Sequence, residues 1–462
     1  MVYQATRLSA ATAILLIATV GCSTLPDADA LIERHSEQAA RFENARGAIS
    51  ARNSAAIVAE LKRKSGDIDI LDKQIALEQA IVGSPLMLGN KVTLLQDGAA
   101  TYPAMITAIR KARDHINMES YIIDDDEIGR QFADLLLEKQ NAGVQVNVIY
   151  DSIGSITTPQ AFFARLSEAG IAVLEFNPVN PFAGTTPWLL NNRDHRKLLV
   201  VDGQTAFIGG INISSVYSSG SILHRAKNTR KSTIAWRDTD IQIEGPVVAE
   251  FQKLFMETWE KQSGQPLVAK NYFPVLKAQG QDIVRAIGST PDDPYSLIYL
   301  TLISAIGNAE KHIHLTHAYF VPDPRLLQSL IEAAGRGVDV KLILPGYTDS
   351  SVTFHAGRAH YATLLTAGVK IFERHGPLLH AKTAVIDGVW SCLGSSNLDW
   401  RSFLDNDEIN AIVLGRDFAR QMQAMFDKDM RGSAAIDLAD WQRRSPWLHL
   451  KEWASSLLQR WF

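Results

Sequence analysis

Cysteine is nearly absent: Cys22 and Cys392 are the only two in 462 residues, too few for a disulfide framework, and processing of one would leave the other without a partner. An excess of one charge is also missing. Lys and Arg number 46 against 50 Asp and Glu, a net charge of −4 with histidine neutral, so bulk attraction of nucleic acid has no support and any polyanion site is local. The apolar run 8–20 falls short of the about 20 residues that span a bilayer. With 46% hydrophobic and 21% charged residues the chain is neither disordered nor collagen-like. At roughly 150 residues per domain it holds about three folding units, or two large ones with appendages.

What is present begins with a targeting signal. Arg7 precedes the apolar run, which ends in Gly21-Cys22-Ser23. This resembles the lipobox of bacterial lipoproteins, with Thr19 where leucine is usual. The resemblance implies a signal peptide over 1–21, acylation of Cys22 and export across the inner membrane to the periplasmic side, with serine after the cysteine favouring the outer membrane. A short uncleaved anchor or an ordinary signal peptide is the alternative. Residues 22–84 are polar, rich in helix formers and free of proline between Pro26 and Pro85, which predicts a helical spacer.

Beyond Pro85 the pattern alternates between helices and apolar strands: helix over 102–114, strand over 116–123, helix over 128–141 and strand over 144–150. The order recurs as helix 297–309, extended 313–321, helix 324–334 and extended 338–344. This is βαβ grammar, duplicated, with a period too long for a solenoid. It predicts an α/β fold whose first half covers 85–262, followed by linker and second half over 263–430. The Gly-, Pro- and Gln-rich stretch 262–294 is the expected junction.

Each copy carries one polar constellation. His195-Arg196-Lys197 leads through an apolar run to Asp202-Gly203, then Gly209-Gly210-Ile211-Asn212; His380-Ala381-Lys382 leads to Asp387-Gly388, then Gly394-Ser395-Ser396-Asn397. One offset, 185 residues, separates His195 from His380, Lys197 from Lys382, Asp202 from Asp387 and Asn212 from Asn397. Residues two apart on a strand share a face, so each His-Lys pair aims an imidazole and an ammonium at one spot. The Asp-Gly pairs suit tight hairpins whose return strands bring the asparagines back. Two such units facing each other would set His195, Lys197, His380, Lys382, Asn212 and Asn397, with Ser396 beside the last, around one tetrahedral anion, which suits a phosphodiester. One histidine would attack phosphorus; the other would protonate the leaving alkoxide. No cofactor is implied, and no metal. Asp202 and Asp387 fall on the opposite strand face and read as turn-forming.

These paired HxKxxxxD motifs resemble the phospholipase D superfamily, and 119–123, 150–155, 318–322 and 397–402 resemble its bacterial cardiolipin synthase branch, over roughly 89–415. The resemblance implies a duplicated α/β/α sandwich with pseudo-twofold halves. It also implies an acidic residue orienting each histidine; the shared offset of 170 between Asp238 and Glu408 nominates these two. It favours His195 as the attacking residue. The implied activity is phosphatidyl transfer from phosphatidylglycerol or a similar phospholipid to a second lipid hydroxyl through a phosphohistidine. A hydrolytic phospholipase D releasing phosphatidic acid is the alternative. A nuclease is disfavoured by the membrane signals and the lack of a broad basic face, and a lipid-binding protein with a dead site by the two intact His-Lys pairs.

Expected partners are phospholipid substrates and a membrane surface, without nucleic acid; the sequence names no protein partner. The basic stretch 224–231 reads as a solvated loop or a headgroup contact, and the apolar 181–190 as a lip for acyl chains. His312, His314 and His317 read as sheet or groove residues, and Cys392 as a buried thiol. In the C-terminal segment 431–462, Leu450, Trp453, Ala454, Leu457, Leu458 and Trp461 share one helical face, which either docks on the domain or lies in a bilayer interface.

Overall fold

Aliphatic strands buried on both faces need helices above and below them, and the computed structural model contains two such layered units. It describes residues 25, 30, 41–65, 70–71, 74–75, 78, 82–179, 191–218, 235–263 and 265–461. The signal segment with Cys22, the lip 181–190 and the basic stretch 224–231 lie outside these.

A hairpin, β1 (Phe42–Asn44) and β2 (Gly47–Ala48), and the helix Ala51–Ser65 come first. The first half holds β3 (Leu86–Gln96), β4 (His115–Ser120), β5 (Gln145–Asp151), β6 (Ala172–Phe176), β7 (Arg193–Asp194), β8 (Lys197–Val201), β9 (Thr205–Gly209) and β10 (Thr239–Glu244). The second holds β11 (Asp282–Ser289), β12 (His312–His317), β13 (Asp339–Pro345), β14 (Lys370–Arg374), β15 (Lys382–Ile386), β16 (Trp390–Gly394), β17 (Asn406–Leu414) and β18 (Ser433–Ala435). Their sheets run β6-β5-β4-β8-β9-β10-β3 and β14-β13-β12-β15-β16-β17-β11, the same order twice. This is the duplicated α/β/α sandwich expected from the sequence. The crossover helices are set by local chemistry: Asp126 caps Glu127–Asn141 through Gly129 N, and Asp323 caps Pro324–Gly335, where proline occupies the first turn.

The halves are one body. The edge strands β3 and β11 pair antiparallel, β7 pairs with β17, and one core cluster draws Leu198, Ile208, Ile241 and Phe251 from the first half together with Val385, Ile409, Val413 and Met422 from the second. Arg237 donates to both oxygens of Asp429 across the junction, and both side chains are buried.

Two expectations need correction. The expected junction 262–294 contains β11, a buried strand of the second sheet; its Ile283-Val284 and Ala286-Ile287 pairs are hidden in the sequence by Gly- and Pro-rich flanks. The expected spacer 22–84 joins the fold at Leu25, which packs on the second half's core, and again at described residues from 41 to 82. β1 pairs parallel with β3, and Phe42, Ile70, Leu71, Ile75 and Val82 enter the core of the second half. Buried Glu78 accepts from Trp390 Nε1 at 3.0 Å and lies 3.7 Å from Arg285. Apolar residues are a minority there, but 71, 75, 78 and 82 recur at helical spacing, so a polar average conceals one packed face.

The C-terminal face also departs from the docking alternative. The helix Pro446–Ser456 buries Glu452, which receives Arg444 at 2.7 and 2.9 Å, while Trp447, Leu450, Trp453, Leu457, Leu458 and Trp461 are 48–64% exposed.

Removing one partner of a buried ion pair strands the other charge, so Asp429→Ala is expected to lower the unfolding free energy by about 3 kcal/mol or more. A urea midpoint unchanged from the parent protein would show that Arg237 is compensated elsewhere.

Candidate active site

The Asp-Gly hairpins place the candidate residues. Asp202 and Asp387 take φ of 53° and 52°, and the following Gly203 and Gly388 take 62° and 64°, a left-handed pair at the centre of each turn, which Gln204 N closes by donating to Val201 O and Val389 N to Ile386 O within three-residue loops. Each carboxylate faces away from the histidines. Asp202 Oδ1 accepts from Asp114 N and His115 N at 2.8 and 3.0 Å, and Asp387 accepts from Glu310 N, Lys311 N and His312 N at 2.7 to 2.9 Å.

The histidines themselves meet at a cleft of about 290 Å³ lined by both, with Asn212 and Asn397. Their orienting carboxylates are exchanged between halves. His195 Nδ1 lies 3.0 Å from Glu408 Oε1, and His380 Nδ1 lies 2.7 Å from Asp238 Oδ2. The backbone enforces the exchange: His195 N donates to Asp407 O at 2.9 Å and His380 N to Arg237 O at 2.8 Å. With each Nδ1 facing a carboxylate, Nε2 is the ring nitrogen turned to chemistry; at His380 the Lys382 Nζ also lies 3.1 Å from it.

Small residues make room behind each pair. A Cβ on Gly210 would stand 2.2 Å from Asp238 Oδ1. At the equivalent position Ser395 donates its hydroxyl to Glu408 Oε2. Ser396, the serine singled out from the sequence, donates to the Asn397 carbonyl at 3.3 Å and does not line the cleft; its neighbour Ser395 is the residue missed, because adjacent serines on a strand end differ only in the face they take. Asn212 is clasped between Ile122 N and the Tyr217 hydroxyl, whereas Asn397 Oδ1 is buried without a partner. The sequence also gave no role to the aromatic residues Tyr121, Tyr217, Trp236 and Tyr319, whose rings lie 5.1 to 6.3 Å from the nearer histidine.

Both lysines sit behind the rings and donate to the carbonyls of His195 and His380. Burial, opposed by Glu408, drops the Lys197 ammonium to about 7; burial, opposed by Asp238, drops Lys382 to about 8. Burial likewise brings His195 down to about 4 against the pull of Glu408, and lowers His380 with help from Lys382. At neutral pH, then, the histidines and lysines are all held below their ordinary proton affinity, and an arriving anion favours the charged form of each. His314 is elsewhere, bonded to Gln423 and stacked on Phe426, and Cys392 is buried with its thiol pushed up to about 12.

The family described as "Cardiolipin synthase, PLD-like domain" matches residues 105–222 and 302–430. The cardiolipin synthase of Geobacillus kaustophilus (strain HTA426) is 35% identical over 377 residues, 81% of this chain and 73% of that one, and the cardiolipin synthase of Listeria monocytogenes serotype 4b (strain CLIP80459) is 34% identical over 379 residues, 81% of this chain and 76% of its own. Among solved structures, phosphatidylserine synthase of Haemophilus influenzae Rd KW20 superposes with a TM-score of 0.59 at 14% identity, covering 83% of this chain and 98% of that chain, a likeness of fold.

The lysine values carry a pH dependence. An ammonium lowered to about 7 or 8 loses its proton as pH rises through that range, so kcat/KM for a soluble phosphodiester is expected to fall above about pH 8. A bound phosphate monoanion stabilises the charged lysines, so the alkaline limb of kcat lies at higher pH. A kcat/KM flat from about pH 7 to 10 would remove the lysines from anion binding.

Proposed function

The chain belongs to the cardiolipin synthase family of phospholipase D-like proteins, and from that premise we propose that it is a phosphatidyltransferase that joins two phospholipids through a phosphohistidine. Two imidazoles, each backed by a carboxylate of the opposite half and facing one cleft, are the observation that carries this reading. The donor is phosphatidylglycerol or a similar glycerophospholipid. One Nε2 forms a bond to phosphorus as the bond to the glycerol oxygen breaks, and the other imidazolium gives that oxygen its proton. The acceptor hydroxyl then reverses the step: its oxygen bonds phosphorus, the P–N bond breaks and its proton returns to the second imidazole. Lys197, Lys382, Asn212 and Asn397 stabilise the non-bridging oxygens. Water as acceptor, giving phosphatidic acid, is the second reading; a polar cleft that admits a hydroxyl also admits water.

A cleft of about 290 Å³ takes a phosphate and its headgroup but not two diacylglycerols, so the acyl chains remain at the mouth. We assign the exposed C-terminal face to the lipid surface. Its three tryptophans carry amphipathic rings suited to a headgroup boundary, and Lys451 and Arg460 stand beside them. It is also fixed to the mouth. The helix Pro446–Ser456 packs on Ser351–Arg358, whose Thr353 lines the cleft, with Glu452 3.6 Å from Arg358, and Arg460 lies over the Trp400 ring next to Arg401. Among the described residues no helix is long and apolar enough to cross a membrane. Attachment through acylated Cys22 on the periplasmic side belongs to the same proposal.

Labelled phosphatidylglycerol in mixed micelles is expected to yield cardiolipin and glycerol; phosphatidic acid alone would favour hydrolysis, and no turnover would end the enzyme reading. His195→Ala and His380→Ala are each expected to abolish cardiolipin formation while the circular dichroism spectrum is kept. Replacing Trp447 and Trp453 by Glu is expected to lower the ratio of activity on phosphatidylglycerol vesicles to activity on a monomeric short-chain lipid by about tenfold, from the apolar area lost to the interface. An unchanged ratio would detach this face from the membrane.

A further inference from the structure

The pseudo-twofold that repeats histidine, lysine and asparagine across the cleft stops at its walls. Around His380 the wall is aromatic, with the rings of Tyr217, Trp236 and Tyr319 at 5.7, 5.4 and 6.3 Å. Around His195 it has one ring, Tyr121, and two guanidinium groups, Arg193 and Arg401. At the offset of 185 their counterparts are Leu378 and Val216, so neither charge is repeated. The β7–β17 pairing sets Arg193 beside Asn406, at the end of the short helix Trp400–Leu404 that bears Arg401.

The two arginines differ in how they are held. Arg193 is buried and already committed: it donates to Ser152 Oγ at 2.9 Å and to Asn177 O at 3.2 Å, with Asp151 at 3.6 Å. Arg401 is half-buried in the cleft wall; its charge acts on Asp399 and Asp405, but it makes no side-chain hydrogen bond or close ion pair with any described residue. The nearby Asp399 accepts instead from Ser402 N, at the start of its helix. Burial lowers the Arg193 pKa, and the charge of Arg401 adds to the effect. A guanidinium beside a fixed one, whose neighbouring carboxylates make no hydrogen bond to it, keeps its donors for an anion shared between the two.

We propose that Arg401, backed by Arg193, binds the phosphate monoanion of the acceptor lipid, the phosphate that does not react. This rests on the phosphatidyl-transfer reading. A product with two phosphates and one reacting centre must seat the second phosphate within the three-carbon span of a glycerol, and Arg193 and Arg401 line the same cleft as both histidines. The acceptor hydroxyl then enters over His195: its oxygen bonds phosphorus as the P–N bond to His380 breaks, and its proton passes to His195 Nε2. That makes His380 the carrier, the reverse of the order the family resemblance favours. Water and neutral alcohols bring no anion and gain nothing from Arg401.

The test offers phosphatidylglycerol vesicles together with ethanol and measures cardiolipin, phosphatidylethanol and phosphatidic acid from one reaction. In Arg401→Gln the ratio of cardiolipin to phosphatidylethanol is expected to fall by about tenfold or more, as loss of a charge-assisted contact implies, with partial recovery in Arg401→Lys. An equal fall in all products, or an unchanged ratio, overturns the subsite while cardiolipin formation by the parent protein leaves the transfer reading intact. If the parent protein forms no cardiolipin, the transfer reading fails and the subsite with it. A phosphatidyl ester of p-nitrophenol, whose leaving group needs no proton, is expected to label His195→Ala covalently and not His380→Ala; the opposite pattern overturns acceptor entry over His195.

Discussion

An imidazole buried in a cleft keeps one tautomer and one orientation only if a fixed acceptor holds its far nitrogen, and here each acceptor comes from the opposite half: Glu408 for His195 and Asp238 for His380. The strands carrying these groups exchange main-chain hydrogen bonds at the same points, through Asp407 O and Arg237 O. Neither half therefore contains a finished histidine. Duplication supplied two copies of a motif, but the competent unit is the pair, which explains why the junction is stapled by a β7–β17 ladder, a shared core and a bidentate Arg237–Asp429 bridge. Docking geometry and catalytic geometry are the same constraint.

Burial then fixes the electrostatics. Two lysines, two histidines and two carboxylates are withdrawn from water together, and desolvation of the cations is offset only in part by Glu408 and Asp238. Glu408 stays ionised despite its burial, because His195, Lys197 and the Ser395 hydroxyl all favour the charged form. The result is a site whose cations are held below their ordinary proton affinity until an anion arrives. A phosphodiester restores that affinity, so binding and the charging of the lysines are coupled, and the stabilisation grows as negative charge accumulates on the non-bridging oxygens.

Much of this was legible in the chain because sheet geometry converts spacing into direction. His195 and Lys197 are two apart on a strand and so point together, and the offset of 185 carried that inference to His380 and Lys382. The alternation of helices and strands in each half followed from apolar runs and their spacing, but the strand order did not. Other features were hidden for physical reasons. The offset of 170 found Asp238 and Glu408 but holds no information on which histidine each meets, since that depends on how the halves dock. Ser395 and Ser396 are chemically identical until the strand's facing is known. The segment from Phe42 to Val82 looked polar because a few buried apolar positions in a stretch rich in charged and polar residues leave a low average. Arg193 and Arg401 were invisible because a repeat search rewards what recurs, and their importance lies in being unrepeated.

That asymmetry is what a transferase between two lipids requires. A fully symmetric cleft would treat the leaving glycerol and the incoming lipid alike, although one is a neutral alcohol and the other carries an anion. Both use the same side of the phosphorus in turn, and charge on the wall at that side favours the one that brings an anion without disturbing the shared centre. The exposed tryptophan face completes the geometry, because it is tied through Glu452–Arg358 and Arg460–Trp400 to the elements that carry Thr353 and Arg401. If, as proposed, this face rests on the bilayer, the wall with Arg401 is carried by elements tied to the interface, so the second phosphate can reach it while the acyl chains of both lipids stay in the membrane.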